Sequence, residues 1–252
     1  GFEEHFAADL HVDINVQRTF DNKHAAKIEA NWDPQFIGTL IVSRRENDTL
    51  YVIDGQHRCV VALRKDPAAI MDCTVYEGLS VEEEALMFLY FNRHRKQPNA
   101  YDQYKLGLAA RLPVEIRMCN EAMARGLDYG LSPSKTTIAA VAACRRIVNM
   151  DKLETGLLQD TLMYSELAFG AGKDSWDNNL LQGIARLINH NRARLDHDRL
   201  IDKLRTNTIV SWQALALQGT KGGGGSVSRS IAMSRAIRDE YNKRLSATRK
   251  LQ

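Results

Sequence analysis

The segment Tyr51-Val-Ile-Asp-Gly-Gln-His-Arg-Cys-Val-Val-Ala-Leu63 constrains this chain more than any other. Tyr51 to Ile53 reads as a short apolar strand, Asp54-Gly55 breaks it, and a helix is expected from about Gln56. Glycine permits the sharp turn and lets another molecule approach the backbone closely. The first N–H groups of a helix have no intrahelical acceptor, and the helix dipole places partial positive charge at that end. With His57 and Arg58 added, the turn reads as a socket for a phosphate or another anion. The competing reading is a strand-to-helix turn whose polar residues are merely solvated, which accounts for Gln56 but not for the whole cluster.

Around this turn the local signals alternate. His11–Val16 alternates polar with apolar and predicts a half-buried strand, with Gln17-Arg18 at its end. Asp21 is a candidate cap for a helix running to about Asn31, and Phe36–Val42 predicts a second strand. The polar Asn47-Asp48 turn makes residues 38–53 a hairpin that delivers the chain to Asp54. The helix from Gln56 ends near Asp66-Pro67, and Ile70–Tyr76 predicts another strand. Ser80 with Glu83 is a capping-box pattern for a helix that runs into Phe91-Asn-Arg-His-Arg95. Residues 1–9 carry no clear period.

From Asn99 onward no strand is expected. Helices are predicted over 99–111, 113–125, 134–149, 157–168, 178–192, 196–205 and 227–246, separated by glycines and Pro133. The fold class expected is therefore α+β, an N-terminal α/β module over residues 1–98 followed by an all-helical domain over 99–220. Residues 221–252 form the remainder, a glycine hinge at Lys221-Gly-Gly-Gly-Gly-Ser226 and a basic helix. That helix carries Arg235, Arg238, Lys243, Arg244, Arg249 and Lys250, which suits either a solvated face or a nucleic-acid contact. A net charge of +3 permits nucleic acid without demanding it. Four cysteines without a Cys-x-x-Cys pair argue against a zinc site, and no metal ligand set is expected. The apolar runs are too short to span a bilayer, so a cytoplasmic protein with no membrane contact is expected.

The sequence Asp54-Gly-Gln-His-Arg58, in this order of elements, resembles the ParB/sulfiredoxin superfamily, in particular ParB-like proteins of actinobacteria and their phages. The similarity spans about residues 10–105. It implies binding of a nucleoside triphosphate, CTP or ATP, at Arg18, Gly55, Gln56, His57 and Arg58. It also implies a second wall from a Glu-Asn-x-x-Arg motif, which here reads Phe91-Asn92-Arg93-His94-Arg95. Asn92 and Arg95 match; Phe91 replaces the glutamate, so the natural magnesium ligand is missing. Sulfiredoxin proper has a nucleophilic cysteine where this chain has Gln56, which removes sulfinic-acid repair; Cys59 reads as a packed side chain.

Some relatives transfer phosphoryl groups and others are labelled nucleases. On that reading Asp54 and His57 are the catalytic candidates, Asp54 as base with His57 and Arg58 steadying the phosphate. Asp54 equally suits a helix cap. In ParB proteins the module leads into a helix-turn-helix, and here Val114–Arg125, a glycine-bearing turn and Ser134–Val148 match that layout. Ser132, Ser134, Lys135 and Thr136 would then touch duplex DNA, although the Ala/Val run 139–144 equally suits a buried core helix. Three functions follow: a phosphate or nucleotide binder coupled to DNA or a protein partner, an enzyme of phosphoryl transfer or phosphodiester cleavage, and a regulatory DNA-binding protein without nucleotide chemistry. A homodimer is left open.

Overall fold

The computed structural model describes residues 1–34, 37–92, 98–220 and 227–252. It divides into two compact units, Gly1–Leu112 and Pro113–Gln252.

The first unit is built on a five-stranded sheet. Its strands are β1 (Phe2–Phe6), β2 (Leu10–His11), β3 (Leu40–Arg44), β4 (Leu50–Asp54) and β5 (Ile70–Glu77), in the order β1-β5-β3-β4-β2. The β3–β4 pair is the expected antiparallel hairpin, with Asp48 in the left-handed region at its turn (φ 62°). β5 returns parallel to β3 and pairs antiparallel with β1. Alternation along the strands buries Leu40, Val42, Val52, Cys73 and Val75 in one core, which Cys59 and Ala62 of helix α2 (Gln56–Lys65) complete. Helix α1 (Asn22–Ala30) packs on α2, its Asp21 cap accepting from the amides of Lys23 and His24. Ile53 on β4 joins a second core with Phe88 of α3 (Val81–Phe91) and Leu106 of α4 (Ala100–Ala109).

The helical unit contains α5 (Pro113–Met123), α6 (Val141–Met150), α7 (Leu157–Phe169), α8 (Asn178–Asn191), α9 (His197–Leu204), α10 (Ile209–Gly219) and α11 (Arg229–Asn242). α8 is central: Leu180, Leu181, Ile184, Leu187 and Ile188 are all buried, and α6, α7, α10 and α11 pack on it. The Ala/Val run does enter a core helix, since Val141, Ala143 and Cys144 of α6 are buried. No helix among the described residues is long and apolar enough to cross a membrane.

Several expectations are corrected. The strand predicted over His11–Val16 is only Leu10–His11, because the pairing with β4 stops at Tyr51. β1 was not expected at all. The first unit runs to Leu112 rather than 98, since α4 packs against α3. The helix expected from Ser134 begins at Val141; residues 134–140 instead hold the two-residue strand β7 (Thr137–Ile138), parallel to β6 (Asp128–Tyr129). α10 was missed, and the last helix, expected over 227–246, packs on α8 and α10 instead of standing apart. The glycine tract lies outside the described residues.

Candidate functional site

Gly55 makes the turn possible. Its φ of +107° is left-handed, and a Cβ there would lie 2.3 Å from Leu40 Cδ2 and 3.0 Å from Arg58 Nη2. A side chain is therefore excluded by conformation and by space together. Gly55 is the N-cap position of α2, which has no side-chain cap. Asp54, weighed above as that cap, instead turns its carboxylate to Arg58, with Nη2 donating to Oδ2 at 3.2 Å.

Around this turn a cleft of about 110 Å³ is lined by Gln17, Arg18, His24, Asp54, Gly55, Gln56, His57, Arg58 and Asn92, among others. Gln17 is 2 % exposed and donates through Nε2 to the carbonyls of Val52 (2.7 Å) and Ile53 (2.6 Å). That clamp on β4 holds the following residue, Arg18, at the mouth of α2. Asn92 donates through Nδ2 to Phe88 O at 2.8 Å and closes the far wall. A second cavity of about 420 Å³, lined by Arg18, Phe20, Asn22, Pro98 and Asn99 among others, shares Arg18 with the first.

His57 decides the chemistry. It is 4 % exposed, stacked on Phe20 (centroids 4.7 Å apart) and edge-on to His24. The amide of Asp21 donates to its Nε2 at 3.0 Å. A neutral imidazole carries one N–H, so the proton sits on Nδ1. Burial, then the nearby Arg18 cation, then His24 pull the pKa of His57 down to about 4, against a smaller opposing effect of Asp21. The ring is thus neutral near pH 7, with Nδ1–H a donor. Arg18 Nη2, also a donor, lies 3.4 Å from Nδ1. Two donors face one another where an acceptor would satisfy both. Gln56 Oε1 is shut off from solvent with no partner among the described residues, a polar atom that a ligand group could meet. Amide orientation is interchangeable by a flip, so Gln56 can offer either its oxygen or its NH₂.

Arg58 is used differently from the expectation. Its Nη1 donates to the carbonyls of Ile37 (2.8 Å), Gly38 (3.3 Å) and Thr39 (3.2 Å), so the guanidinium holds the segment before β3 as well as Asp54. The expected cluster of Arg18, Gly55, Gln56, His57, Arg58 and Asn92 does share one cleft; Arg95 lies outside the described residues. Gln17 and His24 are additional. Gln17 was visible only as a polar residue after an apolar run, and His24 carries no local signal. Cys59 is buried, its thiol pushed up to about 11 by desolvation, so it is a packing residue. No cluster of three metal-ligating side chains occurs among the described residues. In the helical unit Ser132, Ser134, Lys135 and Thr136 are exposed, on the β6–β7 loop rather than on a helix. Ser134 Oγ there accepts from the amides of Thr136 (3.2 Å) and Thr137 (3.0 Å).

Among solved structures, the chain is similar to a C-terminally truncated chromosome-partitioning protein ParB from Caulobacter crescentus complexed with CTP-γ-S. The identity there is 16 %, over 75 % of this chain and 99 % of that one, with a TM-score of 0.34. It is also similar to a pNOB8-like ParB N-domain in its C2221 form, at 15 % identity, 98 % coverage of both chains and a TM-score of 0.45. No curated protein matches. A family model described as a family of unknown function matches residues 13–219, and the chain belongs to that family, DUF6551.

Proposed function

We propose that the first unit binds the phosphate of a nucleotide between Arg18 and the first turn of α2, and that the helical unit couples this state to DNA or a protein partner. The observation that carries the reading is the apposition of Arg18 Nη2 and His57 Nδ1–H, two donors 3.4 Å apart at a helix start. An oxyanion between them relieves the donor–donor contact and meets the helix dipole. The cleft of about 110 Å³ has room for one phosphate group. The larger cavity beyond Arg18 has room for the rest of a nucleotide, CTP or ATP. Arg58 acts in this reading as a positioning residue for the turn.

Thermal denaturation with CTP, ATP and GTP, with and without magnesium, tests it. At about 100 times Kd a ligand adds roughly 2.7 kcal/mol, several degrees in Tm for a domain of this size. Wild type is expected to respond to at least one nucleotide and Arg18→Ala to none. Equal responses, or no response by wild type, would end the proposal.

The enzymatic reading rests on Asp54, whose carboxylate lines the cleft beside Arg58. His57 is a poor base, since the Asp21 amide occupies Nε2 and Nδ1 holds its proton. Nucleotide turnover or plasmid nicking lost in Asp54→Asn would nonetheless favour an enzyme. The reading as a regulatory protein without nucleotide chemistry rests on Phe91 in place of a carboxylate. DNA contact through the exposed β6–β7 loop predicts salt-sensitive binding by wild type that is weaker, with a shallower salt slope, in Lys135→Ala.

A further inference from the structure

α8 and α11 meet at close quarters. A Cβ on Gly183 would lie 2.4 Å from Met233 Cγ and 3.2 Å from the amide of Ser234, so the glycine lets the two helices approach nearly to backbone contact. Beside this crossing they bound a groove of about 300 Å³. Arg186 and His190 line it from α8, and Arg235 and Arg238 from α11, above an apolar floor that includes Leu187 and Ile231. Among the described residues no acidic side chain lines the groove, and the backbone of Gln252 also borders it. Arg238 pairs with Asp239 at 3.2 Å, while the neighbouring Arg192, Lys203 and Lys243 pair with Asp160 and Glu240. Among the described residues no carboxylate pairs with Arg186 or Arg235, and the Nε of Arg186 is closed off from solvent with no acceptor.

Arg186 and Arg235 face one groove with no carboxylate side chain among the described residues paired to either, and a closed-off guanidinium N–H lacks the hydrogen bond that burial demands. A bound oxyanion corrects both, since the arginine fork fits phosphate in two-pronged fashion. The spacing favours a chain of phosphates over a single ion. Arg186 and His190 stand four residues apart, about 6 Å along α8, and Arg235 and Arg238 three apart, about 4.5 Å along α11. Arg186 with His190 on one wall and Arg235 with Arg238 on the other, over an apolar floor, suit a sugar–phosphate backbone. We propose that the α8–α11 groove is a nucleic-acid backbone site in which Arg186 and Arg235 grip neighbouring phosphates. It is independent of the nucleotide site on the first unit.

Fluorescence anisotropy of the full chain with labelled duplex and single-stranded oligonucleotides, between 50 and 200 mM salt, tests this. Wild type is expected to bind at least one of them with a strong salt dependence. The double variant Arg186→Gln/Arg235→Gln should bind at least tenfold more weakly at the low-salt end. Its log–log salt slope should be shallower by about 2 on duplex, at roughly 0.9 per lost phosphate contact. Arg192→Gln, at a paired cation outside the groove, should leave both quantities unchanged. Arg235 is exposed, so Arg235→Glu alone keeps the fold and should show most of the loss. Three results overturn the proposal: no salt-dependent binding by wild type, groove variants that bind like wild type while Lys135→Ala removes binding, or inorganic phosphate that competes as well as an equal phosphate concentration of oligonucleotide. The last would make the groove a site for free anions.

Discussion

At the scale of single residues, His57 ties the candidate site to the stability of the first unit. Its folded pKa of about 4 lies below the ordinary value of 6.5. The unfolded chain therefore takes up the proton first as the pH falls. The contribution is fully present above pH 6.5, is lost as pH falls from 6.5 to 4, and changes no further below that. The loss amounts to roughly 3 kcal/mol. Denaturant unfolding of wild type and His57→Gln across this range should give a difference curve that closes from pH 6.5 to 4; a flat difference would show that the buried ring is not held neutral. Occupancy of the cleft by a phosphate should lessen the slope, because the anion favours the charged ring. The same residue marks the limit of sequence reading at the site. Asp54-Gly55-Gln56-His57-Arg58 is visible as a cluster because its members are adjacent, and the left-handed Gly55 behaves as the turn requires. Which atoms face the cleft depends on Asp21 and the carbonyls of residues 37–39, which are distant in sequence and pair through their backbone. Backbone partners leave no signature in residue type.

At the scale of elements, local chemistry was legible and non-local pairing was not. The capping box on α3 forms as the pattern implies, with Ser80 Oγ accepting from the Glu83 amide and Glu83 from the Ser80 amide. Ser80→Ala is expected to destabilise the first unit by about 1 kcal/mol in denaturant unfolding, and no change would mean that packing of Ala85 and Phe88 alone fixes the helix start. α3 is also held from the side, where Arg45 donates to the buried Glu84 at 2.5 Å and to Asp13 at 2.9 Å. By contrast β1 shows its two phenylalanines to solvent, Phe2 at 67 % and Phe6 at 50 % exposure, so its alternation does not mark a buried face. α10 is apolar nearly all round; Trp212 and Ala216 are buried while Val210, Leu215 and Leu217 are exposed, and no stripe reveals which face packs. The segment before α6 misled for another reason. Serines and threonines ahead of an apolar run resemble a helix cap, yet Ser134 closes a local turn on the amides of Thr136 and Thr137.

At the scale of the whole molecule, two cores carry two proposed ligands. Hydrogen exchange separates them without any substitution. A nucleotide should slow exchange first around residues 17–21 and 54–59, whereas an oligonucleotide should first protect 183–191 and 229–238. The reverse pattern would exchange the two assignments. Sheet order adds a consequence for how the chain is made. Among the described residues β1 lies at the sheet edge and pairs only with β5, Phe2 opposite Thr74 and Phe6 opposite Ile70. During synthesis the first strand therefore waits until Glu77 has left the ribosome, by which time the hairpin and α2 can already have formed around the Gly55 turn. Long-range closure of this kind is the slow part of folding. The Gly55 turn is then expected to form early in folding, and the sheet edge is sealed after it.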